Sequence, residues 1–403
     1  MKRLAIVSSY SESCGNAAFT RALHDSIEHC YPNIAVEVME LDLRLLQSIK
    51  RAIRTKGDAH IRKLAEQLRD FGAVNIQMEA GLYGSLPRDV LRRFRRLLAA
   101  HPRTSVTLHS PRLIGNSEAL ARQGIKKLLR LQLLSGLRDM MGDSFASITV
   151  RLNHRIVRTC VRRQAPLIVH TGRARRQIHD FFSYDNTAVH CLKLIPADFC
   201  PSRATLDQIR SQMGLADDAV IIGIFGYLSA YKGHVDALKA MQHLPEPYKL
   251  LIFGRQHPQT LKSDGRVDGY LEHLVHQVNA TPELQNRVFF LGELADREFF
   301  DVVGSVDVAW LPYYENGQDG SGIASICLDL CPRVLCSASF AFDELFKLVP
   351  YRNVSRFDIG NPLELALKTE MIRRAPVPER PYGDESVYNL ASQARVYVRP
   401  LLD

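Results

Sequence analysis

Lys232 is the residue around which a chemistry can be built. It lies in GIFGYLSAYKGH (223–234), where an apolar run ends in Gly226, a short loop follows, and Lys232-Gly233 leads into a helix near His234. Such a loop is either an ordinary turn or an anion cradle. A helix N-terminus offers free N–H groups and a favourable dipole to phosphate, and a lysine adds a charge-assisted contact worth about 1.5–3 kcal/mol. A second stretch, ENGQDGSGIASICLDL (315–330), repeats the design: a strand ending in Leu311-Pro312-Tyr313, a loop with three glycines, then Ser321-Gly322 opening an apolar helix. Ser321 is a good N-cap, and glycines let a ligand come close to the backbone. Two phosphate-ready helix starts at neighbouring strand ends converge on a diphosphate. Competing chemistries lack their residues. The chain has no Asp-x-Asp, no Gly-x-Gly-x-x-Gly, no P-loop and no His-Glu-x-x-His, which disfavours a metal-held diphosphate, a dinucleotide fingerprint and a zincin. His273 and His276 are three apart on a helix, but without a third ligand they read as solvated residues.

These loops need strands to carry them. LAIVSS (4–9), AVEVMEL (35–41), AVNIQME (73–79), TSVTLHS (104–110), APLIVHT (165–171) and AVHCLKLIP (188–196) alternate with helical segments in the first half. AVIIGIFG (219–226), YKLLIFG (248–254), RVFFLGEL (287–294), SVDVAWLPY (305–313) and PRVLCSA (332–338) repeat that grammar in the second. Strands spaced by helices indicate parallel, doubly wound sheets, and 403 residues exceed what one core usually supports. Pro196 to Gly214 reads as the junction, and DESVYNLASQARVYV (384–398) as a final helix after the Pro-rich APVPERPYG. The composition, 46% hydrophobic and 24% charged, is that of a soluble globular chain. No apolar run reaches the ~20 residues that span a membrane, and eight cysteines without a Cys-x-x-Cys pair suit a reducing, cytoplasmic setting. Charge is uneven: residues 1–200 hold 32 Lys+Arg against 17 Asp+Glu, and the remainder 20 against 26. An anionic partner is therefore expected for the first half only.

With those motifs in place, the chain resembles the family 4 glycosyltransferases, retaining sugar transferases of the GT-B fold. The resemblance is carried by Gly226 with Lys232-Gly233, LLIFG (250–254), VFFLG (288–292), Asp307 with Pro312-Tyr313, Gln318, Ser321-Gly322 and RVLCSASFAFDEL (333–345). In the first half it rests on Cys14-Gly15-Asn16 before a helix, Gln77-x-Glu79-x-Gly81 with Tyr83-Gly84, and His109 in VTLHS. The match is weakest over residues 111–165. It implies two Rossmann-like doubly wound domains facing across a cleft: residues 1–199 for the acceptor, 216–383 for a nucleotide-sugar donor, and a helix over 384–403 crossing back. It also implies site roles. Lys232 would hold the donor diphosphate with the amides near Gly320, Ser321 and Gly322, beside Gly226, Tyr227 and Gln318. Gly15 and Asn16 would face the phosphate or acceptor, and His109 the donor sugar near its reacting carbon. Gly254, Glu293 and Leu294 would border the base, with Glu79, Tyr83 and Arg173 on the acceptor side.

Two departures stand out. The arginine usual after the first glycine is Tyr227 here, and the usual glutamate pair falls on Gln318 and Ile326. The expected activity is retaining, metal-independent transfer, without a cofactor, from a UDP- or GDP-linked sugar to a glycan or lipid-linked acceptor. A nucleotide-sugar epimerase of this fold and a non-catalytic sugar-nucleotide binder are the alternatives. Two basic helices, RDVLRRFRRLLAAH (88–101) and GIKKLLRLQLLSGLRDMM (124–141), are either packed helices with solvated basic faces or interfacial elements on anionic lipid. The second would give peripheral attachment to the inner face of the membrane. In the first, Arg92, Arg93, Arg95 and Arg96 are expected off the apolar face. Nothing resembles a nucleic-acid-binding module.

Overall fold

The computed structural model describes residues 2–12, 14–114, 133–196, 198–256, 269–315, 317–348, 354–377 and 388–402, with 133–146 as backbone alone. They form two compact units. The first comprises Met1–Leu194, Gly317–Gly320 and Ser386–Asp403; the second comprises Ile195–Asn316 and Ser321–Glu385.

The first unit is built on a parallel sheet of β1 (Lys2–Ser8), β2 (Ile34–Glu40), β3 (Ala73–Met78), β4 (Thr104–Leu108), β5 (Leu167–Val169) and β6 (Thr187–Val189). Their order is β2-β1-β3-β4-β5-β6. Its two faces are covered differently. Leu4, Ile6 and Ile168 pack under the helices Gly15–Cys30 and Leu390–Leu402, through Phe19, Tyr397 and Val398. Val7, Ile76 and Val106 pack under the helices Pro87–Leu98 and Leu133–Arg162, through Phe94, Leu97 and Ile156.

In the second unit β7 (Val220–Phe225), β8 (Tyr248–Phe253), β9 (Val288–Gly292), β10 (Val308–Leu311), β11 (Val334–Ser337) and β12 (Val354–Phe357) pair in parallel as β12-β11-β10-β7-β8-β9. The strand order reverses between β1 and β3 in one sheet and between β7 and β10 in the other. At such switch points adjacent connections leave to opposite faces and open a crevice at the carboxyl ends of the strands.

Several expectations are corrected. The sixth strand spans three residues, Thr187–Val189, and not 188–196; Cys191 to Ile195 continue without strand pairing. A twelfth strand, Val354–Phe357, went unread because Phe357 is its one buried residue. The first unit ends at Leu194, five residues before the expected 199, and takes in Gly317–Gly320 from the second half of the sequence. Of the basic segment 124–141, residues 124–132 lie outside the described residues; the rest opens the 30-residue helix Leu133–Arg162.

Arg93 is buried, not solvated: Val90, Arg93, Phe94 and Leu97 share one stripe at i, i+3, i+4 and i+7. Its guanidinium donates to the carbonyls of Leu46 (2.9 Å), Tyr83 (2.8 Å) and Arg54 (3.1 Å) and pairs with Asp58 at 2.7 Å. Arg92, Arg95 and Arg96 are exposed. Among the described residues no helix is long and apolar enough to cross a membrane.

Candidate functional site

In the second unit, the loop after β7 is shaped by glycine. Gly233 has φ 73°, and a Cβ there would stand 1.8 Å from the Pro312 carbonyl oxygen. A Cβ at Gly254 would meet the Gly226 carbonyl at 2.0 Å. Side chains at these positions would push the ends of β7, β8 and β10 apart.

The tight turn places Lys232 across the switch point. Its Nζ donates to the Phe225 carbonyl at the end of β7 (3.1 Å) and to the Tyr313 hydroxyl beyond β10 (2.9 Å). It also lies 4.8 Å from the Tyr313 ring centroid. Lys232 is 3% exposed, and burial lowers its pKa. Tyr313 Oη in turn lies 3.4 Å from Ser321 Oγ, and Ser321 caps the helix Gly322–Leu330 by accepting from the Ala324 amide at 3.2 Å. The two helix starts singled out in the sequence are therefore joined through Lys232, Tyr313 and Ser321. A desolvated ammonium beside a capped helix N-terminus is arranged to receive an anion.

Tyr227 stands where an arginine was expected, but a guanidinium is nearby. Arg255, just after Gly254, sits 5.8 Å from the Tyr227 ring and pairs with Glu293 at 3.1 Å. Sequence reasoning missed Arg255 because it belongs to a different strand end. Leu294 is half-buried beside Glu293.

In the first unit, Gly15 begins a 16-residue helix and is exposed, with nothing within 4 Å of a Cβ there. The helix start is tied to β1 because Thr20 Oγ1 donates to the Asn16 carbonyl and lies within hydrogen-bond reach of Ser8 Oγ, both at 2.7 Å. His109 follows β4 with both ring nitrogens engaged: Nε2 is 2.7 Å from Gln77 Oε1, and Nδ1 is 3.0 Å from His170 Nε2. Burial, with His170 beside it, holds His109 well below the usual histidine range.

Glu79 is half-buried at the N-cap of a short helix. Burial raises its carboxyl and Arg112 partly offsets this. Tyr83, expected on the acceptor side, is a core residue instead: it is 0% exposed and its hydroxyl donates to the Gln77 carbonyl at 2.9 Å.

Arg173 reaches the segment Gly317–Gly320, donating to the Gln318 carbonyl (2.8 Å) and Asp319 Oδ1 (2.7 Å). Asp319 is 1% exposed, and burial raises its carboxyl against Arg173 and Arg112. Gly320 lies against His170 and Leu192. Asp319, Arg112 and His170 were not singled out from the sequence, since a carboxylate, an arginine and a strand-end histidine carry no motif of their own. His273 and His276 are exposed. Among the described residues the one set of three metal-ligand types is His24, Asp25 and Glu28 on the surface of the first helix.

No protein-family model matches the chain, and no curated protein matches its sequence. Solved structures match it along its length. Sucrose-phosphate synthase from Thermosynechococcus elongatus is 17% identical, with coverage of 100% of this chain and 99% of that one and a TM-score of 0.69. HepE from Anabaena, in complex with UDP, is 14% identical over 99% and 95%, with a TM-score of 0.60. A UDP-forming trehalose-phosphate synthase from Burkholderia xenovorans, in complex with glucose-6-phosphate, is 12% identical over 99% and 100%, with a TM-score of 0.64. The two-sheet architecture is that of GT-B glycosyltransferases.

Proposed function

We propose that the chain is a retaining glycosyltransferase of the family 4 type that transfers a sugar from a nucleotide-sugar donor to a glycan or lipid-linked acceptor. One observation carries the reading: Lys232 is buried at the β7/β10 switch point and linked through Tyr313 to the Ser321 helix cap. That arrangement suits a diphosphate whose charge grows as the sugar leaves, where preorganised donors lower the barrier most. Such transfer needs no protein nucleophile, because the departing phosphate accepts the acceptor hydroxyl's proton on the same face. The engagement of both His109 nitrogens within the first unit agrees with a site where no side chain acts as base. UDP is favoured as the nucleotide, since HepE is solved with UDP and the trehalose-phosphate synthase is UDP-forming.

Metal independence rests on the lack of an Asp-x-Asp cluster in the sequence. Peripheral attachment to an anionic membrane is supported by the exposed arginines Arg151, Arg155, Arg158 and Arg162 along one side of the helix Leu133–Arg162.

The test is calorimetric titration with UDP, GDP and ADP, followed by donor hydrolysis with the matching sugars in EDTA. Binding of one nucleotide with chelator-resistant hydrolysis is expected. Failure of all three to bind sinks the reading, and turnover that requires magnesium removes metal independence. Binding without hydrolysis or transfer would mark a non-catalytic sugar-nucleotide binder.

A further inference from the structure

The first sheet carries polar side chains where both faces are covered. Asn75 and Gln77 on β3 and Ser105 and Thr107 on β4 are all buried, and the register Asn75↔Ser105, Gln77↔Thr107 sets them side by side. Parallel strands ordinarily fill such positions with Val, Ile or Leu, and an amide buried there without partners is costly. These side chains form a chain. Asn75 Nδ2 donates to Ser105 Oγ (3.0 Å) and Thr107 Oγ1 (3.2 Å), and Gln77 Nε2 donates to Asn75 Oδ1 (2.6 Å). Ser105 directs its own proton to the Val74 carbonyl at 3.4 Å. The Asn75 amide thus has its nitrogen on the two hydroxyls, and its oxygen accepts from Gln77 and, at 3.3 Å, from Thr107 Oγ1. The end left to His109 Nε2 is Gln77 Oε1, an acceptor, at 2.7 Å.

The opposite end is also an acceptor. His170 Nδ1 lies 3.0 Å from the main-chain carbonyl of His190. Between the ends, His109 Nδ1 and His170 Nε2 face each other at 3.0 Å. Making all three hydrogen bonds at once takes three protons on four ring nitrogens, and two neutral imidazoles carry only two. The pocket is shaped for one imidazole and one imidazolium.

We propose that His109 and His170 take up a single shared proton as one unit, with Gln77 and the His190 carbonyl as its positioning partners, and that an anion held at the carboxyl ends of these strands draws the proton in. The ionisable groups packed around the pair are His190, whose charge acts on His170, Cys191, whose thiol donates to the His170 carbonyl, and Asp319 with Arg173, next to Gly320 where it lies against His170; Tyr397 reaches the network through Thr107. Phe19 closes it with edge-on contacts to both rings, at 5.4 and 5.6 Å between centroids. Among the described residues no carboxylate is hydrogen-bonded to either ring.

Burial dominates: with His170 beside it, it holds His109 well below the usual range, and it takes His170 to about 4 although the hydrogen bond to the His190 carbonyl raises it. Near neutral pH the unliganded pair lacks its third proton, so one of the three contacts is left with two acceptors facing each other. A nearby negative charge favours the protonated form. The proton comes from solvent and returns there when the anion leaves. The anion part rests on the proposed reading that a nucleotide sugar is the donor, with its sugar facing His109 as the resemblance implies.

Two measurements test this together. Calorimetry of UDP, GDP and ADP near neutral pH, in buffers of different ionisation enthalpy, reads protons taken up per nucleotide bound. Histidine 15N NMR of the unliganded protein, titrated to acid, reads whether the two rings protonate together. Expected are an uptake approaching one proton in the wild type, none in His170→Asn, less in Gln77→Leu, and a single midpoint shared by His109 and His170. Nucleotide binding whose heat is independent of buffer overturns the proposal and leaves the nucleotide reading standing. If no nucleotide binds, that reading fails, and NMR decides alone: separate midpoints overturn the shared proton and one common midpoint upholds it. Should His170→Asn not fold, Gln77→Leu and the wild-type spectra carry the same decision.

Discussion

Replacing Lys232 by methionine keeps the stem's packing and removes the charge, so it separates anion binding from folding. In the unliganded protein Nζ has two hydrogen-bond partners, the Phe225 carbonyl and the Tyr313 hydroxyl, and neither carries a counter-charge. A desolvated cation held by neutral groups contributes little net stability, because what the hydrogen bonds return is offset by lost hydration. Lys232→Met is therefore expected to melt within a few degrees of the parent. Toward a diphosphate the same ammonium supplies a charge-assisted contact of about 1.5–3 kcal/mol. At about 1.4 kcal/mol per decade this is a roughly 10- to 150-fold weaker Kd. Calorimetry with UDP, paired with a thermal melt of the same sample, reads both quantities. A variant of parental stability that binds UDP with parental affinity would remove Lys232 from phosphate recognition.

Three further outcomes follow from the geometry. Arg93→Met strips a buried guanidinium from three carbonyls and Asp58 and should cost about 3–5 kcal/mol in denaturant unfolding; a loss under about 1 kcal/mol would contradict the buried-network account. Burial pushes Asp89 up, but the Arg54 hydrogen bond and the charges of Arg92, Arg54 and Arg93 outweigh it and hold its carboxyl below the usual value. Its stabilisation is thus present above the unfolded pKa of about 3.9 and lost as pH falls through the lower folded value. Urea midpoints should drop in that acid window less steeply for Asp89→Asn than for the parent. Gly15→Val places a side chain where a Cβ meets nothing within 4 Å, so stability should move by under about 1 kcal/mol while UDP or acceptor binding is lost. Undiminished binding and transfer by that variant would detach Gly15 from the site.

Much of the architecture was legible because parallel strands and their turns are locally encoded. Runs such as VIIGIF and YKLLIF are buried along their whole length as β7 and β8, and glycines that must follow them, such as Gly226 and Gly233, are written in the sequence. Ser321 capped its helix as expected from its type and place. Weak periodicity failed where packing decides. β12 shows a single buried residue, and Arg93 entered the core because carbonyls from Leu46, Tyr83 and Arg54 converge there from separate elements.

The candidate site divides in the same way. Sequence alone determined that Lys232, Gly233 and Ser321 stand at helix starts after strands, since each such signal spans a few neighbouring residues. Only the tertiary structure decided that Lys232 meets Tyr313, that Arg255 stands near Tyr227, that Arg173 holds Asp319, and that His109 pairs with His170. Those partners lie tens of residues apart or more, and their meeting depends on strand order. Adjacent strands in a doubly wound sheet need not be consecutive, so a side chain's neighbours at the carboxyl edge are set by the winding of the whole sheet.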